Sequence, residues 1–144
     1  MVANRVKKVL IVDDEPDVLL MLRVNLESEG YSTALAADGE TALRRVEEEH
    51  PDLMLLDVMM PVMDGWAVLE SLAQADDPRI VVVSAKSSNR DIVRALSMGA
   101  CDYVVKPFDP DELVRTVARV LASLRGELDA QRRKLMGDAG GVPS

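Results

Sequence analysis

Short apolar runs alternate along the chain with segments in which apolar residues recur every three or four positions. The apolar runs are rich in Val, Ile and Leu and end at polar or turn-forming residues, which is typical of buried strands. The intervening segments have the period of amphipathic helices. We therefore predict strands at residues 7–12, 31–36, 52–57, 80–83 and 101–105.

Helix starts are marked by proline and by aspartate. Pro16 and Pro110 fit the first position of a helix, where the missing N–H would have no partner. Asp38, Asp64 and Asp109 each precede a helical segment, so we interpret them as helix caps and not as metal ligands. The pattern predicts five helices, each following one strand.

Strands that alternate with helices imply a parallel sheet covered on both faces, since each crossover is long enough to hold a helix. These crossovers are almost always right-handed. The expected fold is a doubly wound α/β domain with a five-stranded parallel sheet and five helices. The second strand has small residues, which favours a position at a sheet edge.

The C-terminal segment leaves several interpretations open. Leu121, Leu124, Leu128 and Leu135 keep a heptad-like spacing, so the last helix either ends near Leu124 or extends beyond it. Residues 137–141 have a linker-like composition. We expect a domain at residues 1–124, followed at 125–144 by a helical extension and a flexible tail or linker. The extension is a frayed end, a dimerisation helix or the start of a linker to an output domain.

Composition narrows the protein class. A length of 144 residues suits one domain, and a net charge of −8 argues against a general nucleic-acid-binding surface. Cys101 is the single cysteine and lies beside an apolar run, which indicates a packed thiol in a reducing compartment. No apolar segment approaches the roughly 20 residues of a membrane span. These features predict a cytoplasmic protein.

Polar residues stand where four of the predicted strands end. Asp13 and Asp14 follow the first strand, Asp57 ends the third, Ser84 follows the fourth and Lys106 follows the fifth. In open α/β sheets, ligands bind in the crevice outside the carboxyl ends of the strands. If these four strands are neighbours, three carboxylates, a hydroxyl and an ammonium group converge at one edge.

Such a cluster has the chemistry of phosphoryl transfer. Crowded carboxylates raise one another's pKa unless a cation lies among them, and oxygen ligands without His or Cys favour Mg²⁺. Asp57 would be the nucleophile, Mg²⁺ and Lys106 would neutralise charge, and Ser84 would donate to a phosphoryl oxygen. The alternative is that Asp13 and Asp14 only cap the helix at Pro16.

With these residues in view, the sequence resembles the receiver domain of bacterial two-component response regulators, the chemotaxis-regulator-like family. The resemblance covers residues 7–124 and implies the flavodoxin-like strand order 2-1-3-4-5. It rests on Asp13-Asp14, Asp57, Pro61-Val62-Met63-Asp64-Gly65, Ser84-Ala85 and the segment from Tyr103 to Lys106-Pro107.

The resemblance assigns roles around Asp57. Asp57 would accept a phosphoryl group from a sensor histidine kinase or a phosphotransfer protein. Asp14 and Asp57 would bind Mg²⁺ directly, Asp13 would bind it through water, and the Met59 carbonyl would supply a further ligand. Lys106 would contact the phosphoryl group.

The family also implies a switch. Ser84 and Tyr103 would be the switch pair, the hydroxyl moving toward the phosphate and the ring turning inward, and Pro107 would follow a cis peptide bond. Met59 and Lys86 occupy positions that border the site and influence phosphoryl lifetime. The expected partners are the phosphodonor and a downstream protein or an output domain outside this chain, with no direct nucleic-acid contact and no membrane. The chain would be a monomer or a phosphorylation-linked homodimer, with no enzymatic activity beyond its own phosphorylation and dephosphorylation.

Two other classes share part of this chemistry. A haloacid-dehalogenase-like phosphohydrolase also forms an aspartyl phosphate with Mg²⁺, but its nucleophile and acid usually stand two residues apart after an early strand. Here, by contrast, the residue at that distance from Asp13 is Glu15, and no cap domain is evident. The other class is a degenerate receiver that binds partners without phosphorylation, which the complete set of site residues argues against.

Overall fold

The computed structural model describes residues 5–60, 64–73 and 75–140, with side chains through residue 137. Pro61, Val62 and Met63 of the motif after Asp57, and residue 141 of the predicted linker, lie outside the described residues. The strands are β1 (Lys8–Val12), β2 (Ser32–Ala36), β3 (Leu53–Leu56), β4 (Arg79–Ser84) and β5 (Asp102–Val105). The helices are α1 (Pro16–Ser28), α2 (Gly39–Glu49), α3 (Gly65–Leu72), α4 (Asn89–Ser97), α5 (Pro110–Ala122) and α6 (Arg125–Gly140).

The five strands form one parallel sheet in the order β2-β1-β3-β4-β5. This confirms the predicted doubly wound architecture and the edge position of β2. The register pairs Val12 with Leu56 and Ser84 with Val105, so the strands end at nearly the same level. The polar residues that follow them are thereby brought to one edge.

Apolar layers cover both faces of the sheet. Val9 and Ile11 of β1 pack with residues of α1 and α5, whereas Leu10 and Val12 pack with residues of α2, α3 and α4. The side chains alternate because successive strand residues point to opposite faces. The core residues of both layers are buried, so the sheet forms a packed base for the residues at its carboxyl edge. None of the described helices is long and apolar enough to cross a membrane.

Aspartates cap three helices as predicted. The side chain of Asp38 accepts a hydrogen bond from the Thr41 N–H at 2.8 Å, and Asp64 accepts one from Ala67 at 3.0 Å. Asp109 caps α5 in the same way. Each carboxylate satisfies a backbone donor that has no partner inside the helix.

The structure has six helices where five were predicted, and of the two interpretations left open for the last predicted helix it shows an end near Leu124. The fifth helix ends at Ala122, Ser123 is extended, with φ −81° and ψ 146°, and a sixth helix begins at Arg125. The Arg79 guanidinium donates to the carbonyl oxygens of Val120 at 2.5 Å and Leu121 at 3.2 Å, so it occupies acceptors in the last turn of α5. This long-range cap stabilises the break that interrupts the heptad-like spacing.

The sixth helix folds back onto the domain along α4. Its Leu128 is 1% exposed and joins the apolar layer of α1 and α5, whereas Leu135 and Met136 pack against the layer on the α4 side. Gly137 lies inside this helix, which continues through Gly140. The linker-like composition therefore does not prevent helix formation there, and the division of the chain at residue 124 stays a prediction.

Candidate functional site at the carboxyl edge of the sheet

Three carboxylates meet where β1 and β3 end. Asp13, Asp14 and Asp57 each place an oxygen within 4.8 Å of the other two. Asp13 and Asp57 are buried, whereas Asp14 is exposed, so the cluster has a protein side and a solvent side. Hard oxygen ligands that are open to water on one side suit Mg²⁺, which keeps several of its waters when bound to protein. The donor set therefore fits the predicted ion.

Lys106 joins two of these carboxylates. Its Nζ atom lies 2.6 Å from Asp13 Oδ2 and 3.1 Å from Asp57 Oδ2. Its backbone N–H donates to the Ser84 carbonyl at 2.9 Å, which continues the β4–β5 pairing past the end of β5. The sheet thus positions the ammonium group at the acidic cluster. The Lys106–Pro107 peptide bond is cis, as the family resemblance implied.

The ionisable groups of the cluster perturb one another. Burial raises the pKa of Asp57, an effect that the Met59 N–H and Lys106 oppose and the Asp13 charge reinforces. For Lys106, burial alone would lower the pKa, but its hydrogen bonds to Asp13 and Asp57 outweigh burial and raise it. Lys106 is therefore a permanent positive charge beside a carboxylate that is costly to ionise without further positive charge.

Local turns fix the orientation of the two buried carboxylates. Asp57 Oδ1 accepts a hydrogen bond from the Met59 N–H at 2.8 Å, and Asp13 Oδ1 accepts one from the Glu15 N–H at 2.9 Å. In both cases the acceptor is two residues before the donor, the geometry of an Asx turn. The Met59 side chain is 48% exposed, and the metal-binding role of its carbonyl stays a prediction.

Glu15 and Gly65 also shape the site, although neither was assigned a role in it from the sequence. Glu15 Oε1 lies 3.7 Å from Lys106 Nζ, at an exposed position. Its place after Asp13-Asp14 was the only sequence signal for this. Gly65 packs against the Asp57–Val58 backbone, and an added Cβ atom would overlap it. Gly65 ends the motif that follows Asp57 in the sequence, but only the structure shows this contact.

The predicted switch pair lies beside the cluster and is joined through Lys86. Ser84 is fully buried, and its Oγ atom accepts a hydrogen bond from the Lys86 N–H at 3.2 Å. The Tyr103 hydroxyl donates to the Lys86 carbonyl at 2.7 Å. Burial raises the pKa of Tyr103, so its hydroxyl stays protonated and able to donate. One residue of the β4–α4 loop therefore contacts both members of the pair.

Two other residues with reactive side chains take no part in this site. Cys101 is buried, and burial raises the pKa of its thiol, as expected for a packed cysteine. His50 is an exposed residue at the end of α2 with a left-handed backbone, φ 47°. This confirms the interpretation of His50 as a surface residue.

Comparison with known proteins agrees with this geometry. Residues 9–118 match the family model described as response regulator receiver domain. The chain is 44% identical over 133 residues to the DNA-binding response regulator MtrA of Mycolicibacterium smegmatis, covering 92% of this chain and 57% of that protein. It is 41% identical over 133 residues to the alkaline phosphatase synthesis transcriptional regulatory protein PhoP of Bacillus subtilis, covering 92% of this chain and 55% of that protein.

A solved structure shows the same architecture. The CheY-like response regulator receiver domain protein from Methanospirillum hungatei superposes with a TM-score of 0.76 at 30% identity, over 90% of this chain and 99% of that one. The chain spans somewhat more than half the length of the two curated relatives. Fold, carboxyl-edge cluster and family model lead to one conclusion: the chain belongs to the response regulator receiver domain family.

Proposed function

We propose that Asp57 is the residue of this receiver domain that accepts the phosphoryl group. Receiver domains of two-component systems act as phosphorylation-activated signalling modules. The observation that supports Asp57 is its carboxylate, which is buried at the end of β3, 3.1 Å from Lys106 and within 4.8 Å of oxygens of Asp13 and Asp14. A nucleophile, a fixed cation and additional metal ligands are what phosphoryl transfer requires.

The proposed reaction is a single displacement at phosphorus. A carboxylate oxygen of Asp57 forms a bond to the phosphorus of a phosphohistidine, and the bond from phosphorus to the imidazole nitrogen breaks. The leaving nitrogen keeps the bonding electron pair, so the donor returns to neutral histidine after proton equilibration. Lys106 would stabilise the charge on the phosphoryl oxygens.

Asp14 and Asp57 would hold Mg²⁺ directly, with Asp13 acting through water and the Met59 carbonyl as a further ligand. When bound, the ion supplies positive charge for the carboxylates and the phosphoryl oxygens. Asp13 is held at 2.6 Å by Lys106, which favours an indirect role for this carboxylate. Asp14 is exposed and has room for a hydrated ion.

The response would pass from Ser84 to Tyr103 through Lys86. A phosphoryl oxygen on Asp57 would attract the Ser84 hydroxyl, which now accepts from the Lys86 N–H. Movement of Ser84 would release Lys86 and with it the carbonyl that Tyr103 contacts. The Tyr103 ring would then turn inward.

The proposed partners follow from the module and from its relatives. The donor would be a sensor histidine kinase or a phosphotransfer protein. The relatives named above are a DNA-binding and a transcriptional regulator, so we propose that the output is a downstream protein or a domain outside this chain. The receiver domain itself would catalyse no reaction other than its own phosphorylation and dephosphorylation.

Labelling with acetyl phosphate, read by intact mass, tests this assignment. One phosphoryl group per chain should appear only when Mg²⁺ is present, and Asp57→Asn should abolish it. Asp38→Asn is the matched control, because Asp38 caps α2 and asparagine also caps helices well. Persistent labelling of Asp57→Asn would refute the assignment, and multiple turnover of a phosphate ester would favour a phosphohydrolase.

A further inference from the structure

The sixth helix covers part of α4. Ser97 in the last turn of α4 has its Oγ atom 3.7 Å from the Met136 sulfur of α6. Met136 and Leu135 pack against the apolar layer that contains Ala95 and Leu96 of α4. Leu128, nearer the start of α6, is buried in the opposite layer. The position of α6 therefore depends on the position of α4.

The fourth helix is in turn connected directly to the switch residues. Lys86, which contacts both Ser84 and Tyr103, lies three residues before Asn89, where α4 starts. Ser88 caps the helix by accepting a hydrogen bond from the Asp91 N–H at 3.2 Å. A displacement of Lys86 would thus reach the first turn of α4 through the short loop at residues 85–88.

The sixth helix is only weakly stable by itself. It contains Gly126 and Gly137, and a Cβ atom at either position would touch nothing within 4 Å, so neither glycine is required by packing. Glycine lowers helix stability, and an isolated helix of about this length is marginal in water. Leu128 is its one buried apolar side chain among the described residues, and Leu135 and Met136 are partly buried. Its helical structure therefore depends on its packing against the domain.

We propose that α6 is a reversible cover of α4, seated in the unphosphorylated domain and released when Asp57 is phosphorylated. This inference rests on the proposed function. The contacts of α6 are made to α4 in the position that α4 has while the Ser84–Lys86–Tyr103 hydrogen bonds are intact. A shift of α4 after loss of those bonds would alter the surface on which α6 lies. Release uncovers the α4 face and leaves α6 to unfold.

Hydrogen–deuterium exchange of the whole chain tests whether α6 is released from α4. Mg²⁺ with beryllium fluoride serves as the phosphoryl mimic, and exchange is followed by mass spectrometry of peptides from α6. We expect exchange in α6 to become about tenfold faster, a change within the range of typical coupling between two sites. Asp57→Asn should show no such change.

Failure of the α6 proposal can be distinguished from failure of the proposed function. If acetyl phosphate labels Asp57 and the exchange of α6 is unchanged by the mimic, the proposed function stands and the cover is refuted. Slower exchange in α6 would also refute it. If Asp57 is not labelled at all, the proposed function itself fails.

Substitutions in α6, with a control just before it, test the packing of α6 against the domain without phosphorylation. Leu128→Ala removes the buried side chain and should speed exchange in α6, whereas Leu124→Ala, at a position 72% exposed, should not. Unchanged exchange of β1 and β3 peptides shows that the domain stays folded. Gly137→Ala favours the helix and should slow its exchange with and without the mimic. Unaltered exchange in either Leu128→Ala or Gly137→Ala contradicts the proposal.

Discussion

Gly65 approaches the Asp57 backbone so closely that a Cβ atom added to it would lie 2.2 Å from the Asp57 carbonyl oxygen and 2.4 Å from the Val58 Cα atom. Both contacts are with main-chain atoms, which cannot rotate away as a flexible side chain could. The first residue of α3 thereby sets the path of the chain just after the proposed phosphoacceptor.

Gly65→Ala should therefore destabilise the domain and disturb the site. We expect a loss of about 1–3 kcal/mol in the free energy of unfolding, the usual cost of overpacking. Denaturant unfolding measures it, and acetyl phosphate labelling should also slow. Gly126→Ala is the control, since its Cβ atom would meet nothing within 4 Å. Equal stability of Gly65→Ala and the parent would contradict the prediction.

Asp57→Asn should stabilise the metal-free domain at neutral pH. Burial raises the pKa of Asp57, so the folded state binds this proton more tightly than the unfolded state does. The stability that the group contributes is present below the unfolded pKa and is lost as pH rises through the folded pKa. The gain from asparagine should be of the order of 1 kcal/mol, a common single-site effect.

Thermal unfolding of parent and Asp57→Asn across a pH series, with a chelator present, measures that gain. The difference should shrink as pH falls, because Asp57 becomes neutral in both the folded and unfolded parent. A less stable Asp57→Asn at neutral pH would show that the Lys106 ion pair outweighs the cost of burial.

Mg²⁺ should stabilise the parent protein by binding only the folded state. At a hundred times its dissociation constant, a ligand adds about 2.7 kcal/mol. Protons compete for Asp57, so Mg²⁺ affinity should fall as pH is lowered through the raised pKa of this group. Titration calorimetry at several pH values measures the affinity. Affinity that does not change with pH, or that is retained in Asp57→Asn, would argue against direct ligation by this residue.

Ser84→Ala should leave labelling of Asp57 intact but weaken the response of a downstream partner. One charge-assisted hydrogen bond contributes roughly 1.5–3 kcal/mol, whereas a shift from 1:99 to 99:1 needs about 5.5 kcal/mol. Phosphorylation would therefore shift an equilibrium in which both states are already populated. Partner affinity, measured on phosphorylated protein, should fall in the variant and recover in Ser84→Thr, which keeps a hydroxyl. Equal affinity of phosphorylated Ser84→Ala and parent for the partner would contradict the prediction.

Met59→Asn should shorten the lifetime of the phosphoryl group. The Met59 N–H holds Asp57, and its apolar side chain is half exposed beside the site, where it would hinder an attacking water. Loss of label over time, followed by intact mass, measures the half-life. Met59→Leu, which remains apolar, should keep the parent lifetime. An unchanged or longer half-life in Met59→Asn would overturn this role.

Much of the site could be predicted because its signals are local. A polar residue that ends an apolar run, as Asp57 and Ser84 do, marks the carboxyl edge of a strand from sequence alone. Capping by Asp38 and Asp109 is likewise encoded within a few residues of each helix start. The parallel sheet then brings the strand ends together, and the family resemblance supplied the strand order that makes them neighbours.

Contacts between distant segments could not be predicted in this way. The Tyr103 hydroxyl finds a backbone carbonyl, that of Lys86, and every residue presents the same carbonyl, so sequence carries no mark of the partner. Glu15 approaches Lys106 because β1 and β5 end at the same edge of the sheet. The sequence could not decide between an end near Leu124 and a longer helix for the same reason, because the residue that caps α5 is Arg79 in β4.

The Arg79 cap of α5 limits where residues can be inserted into or deleted from the chain. Arg79 reaches two successive carbonyls of α5, and adding or deleting one residue upstream in the helix would rotate them by about 100° around its axis. The arginine would then face a different side of the helix. Insertions should therefore be tolerated after Ser123 and not within α5. The contacts of Arg79, a residue of the sheet, thus fix the length of α5.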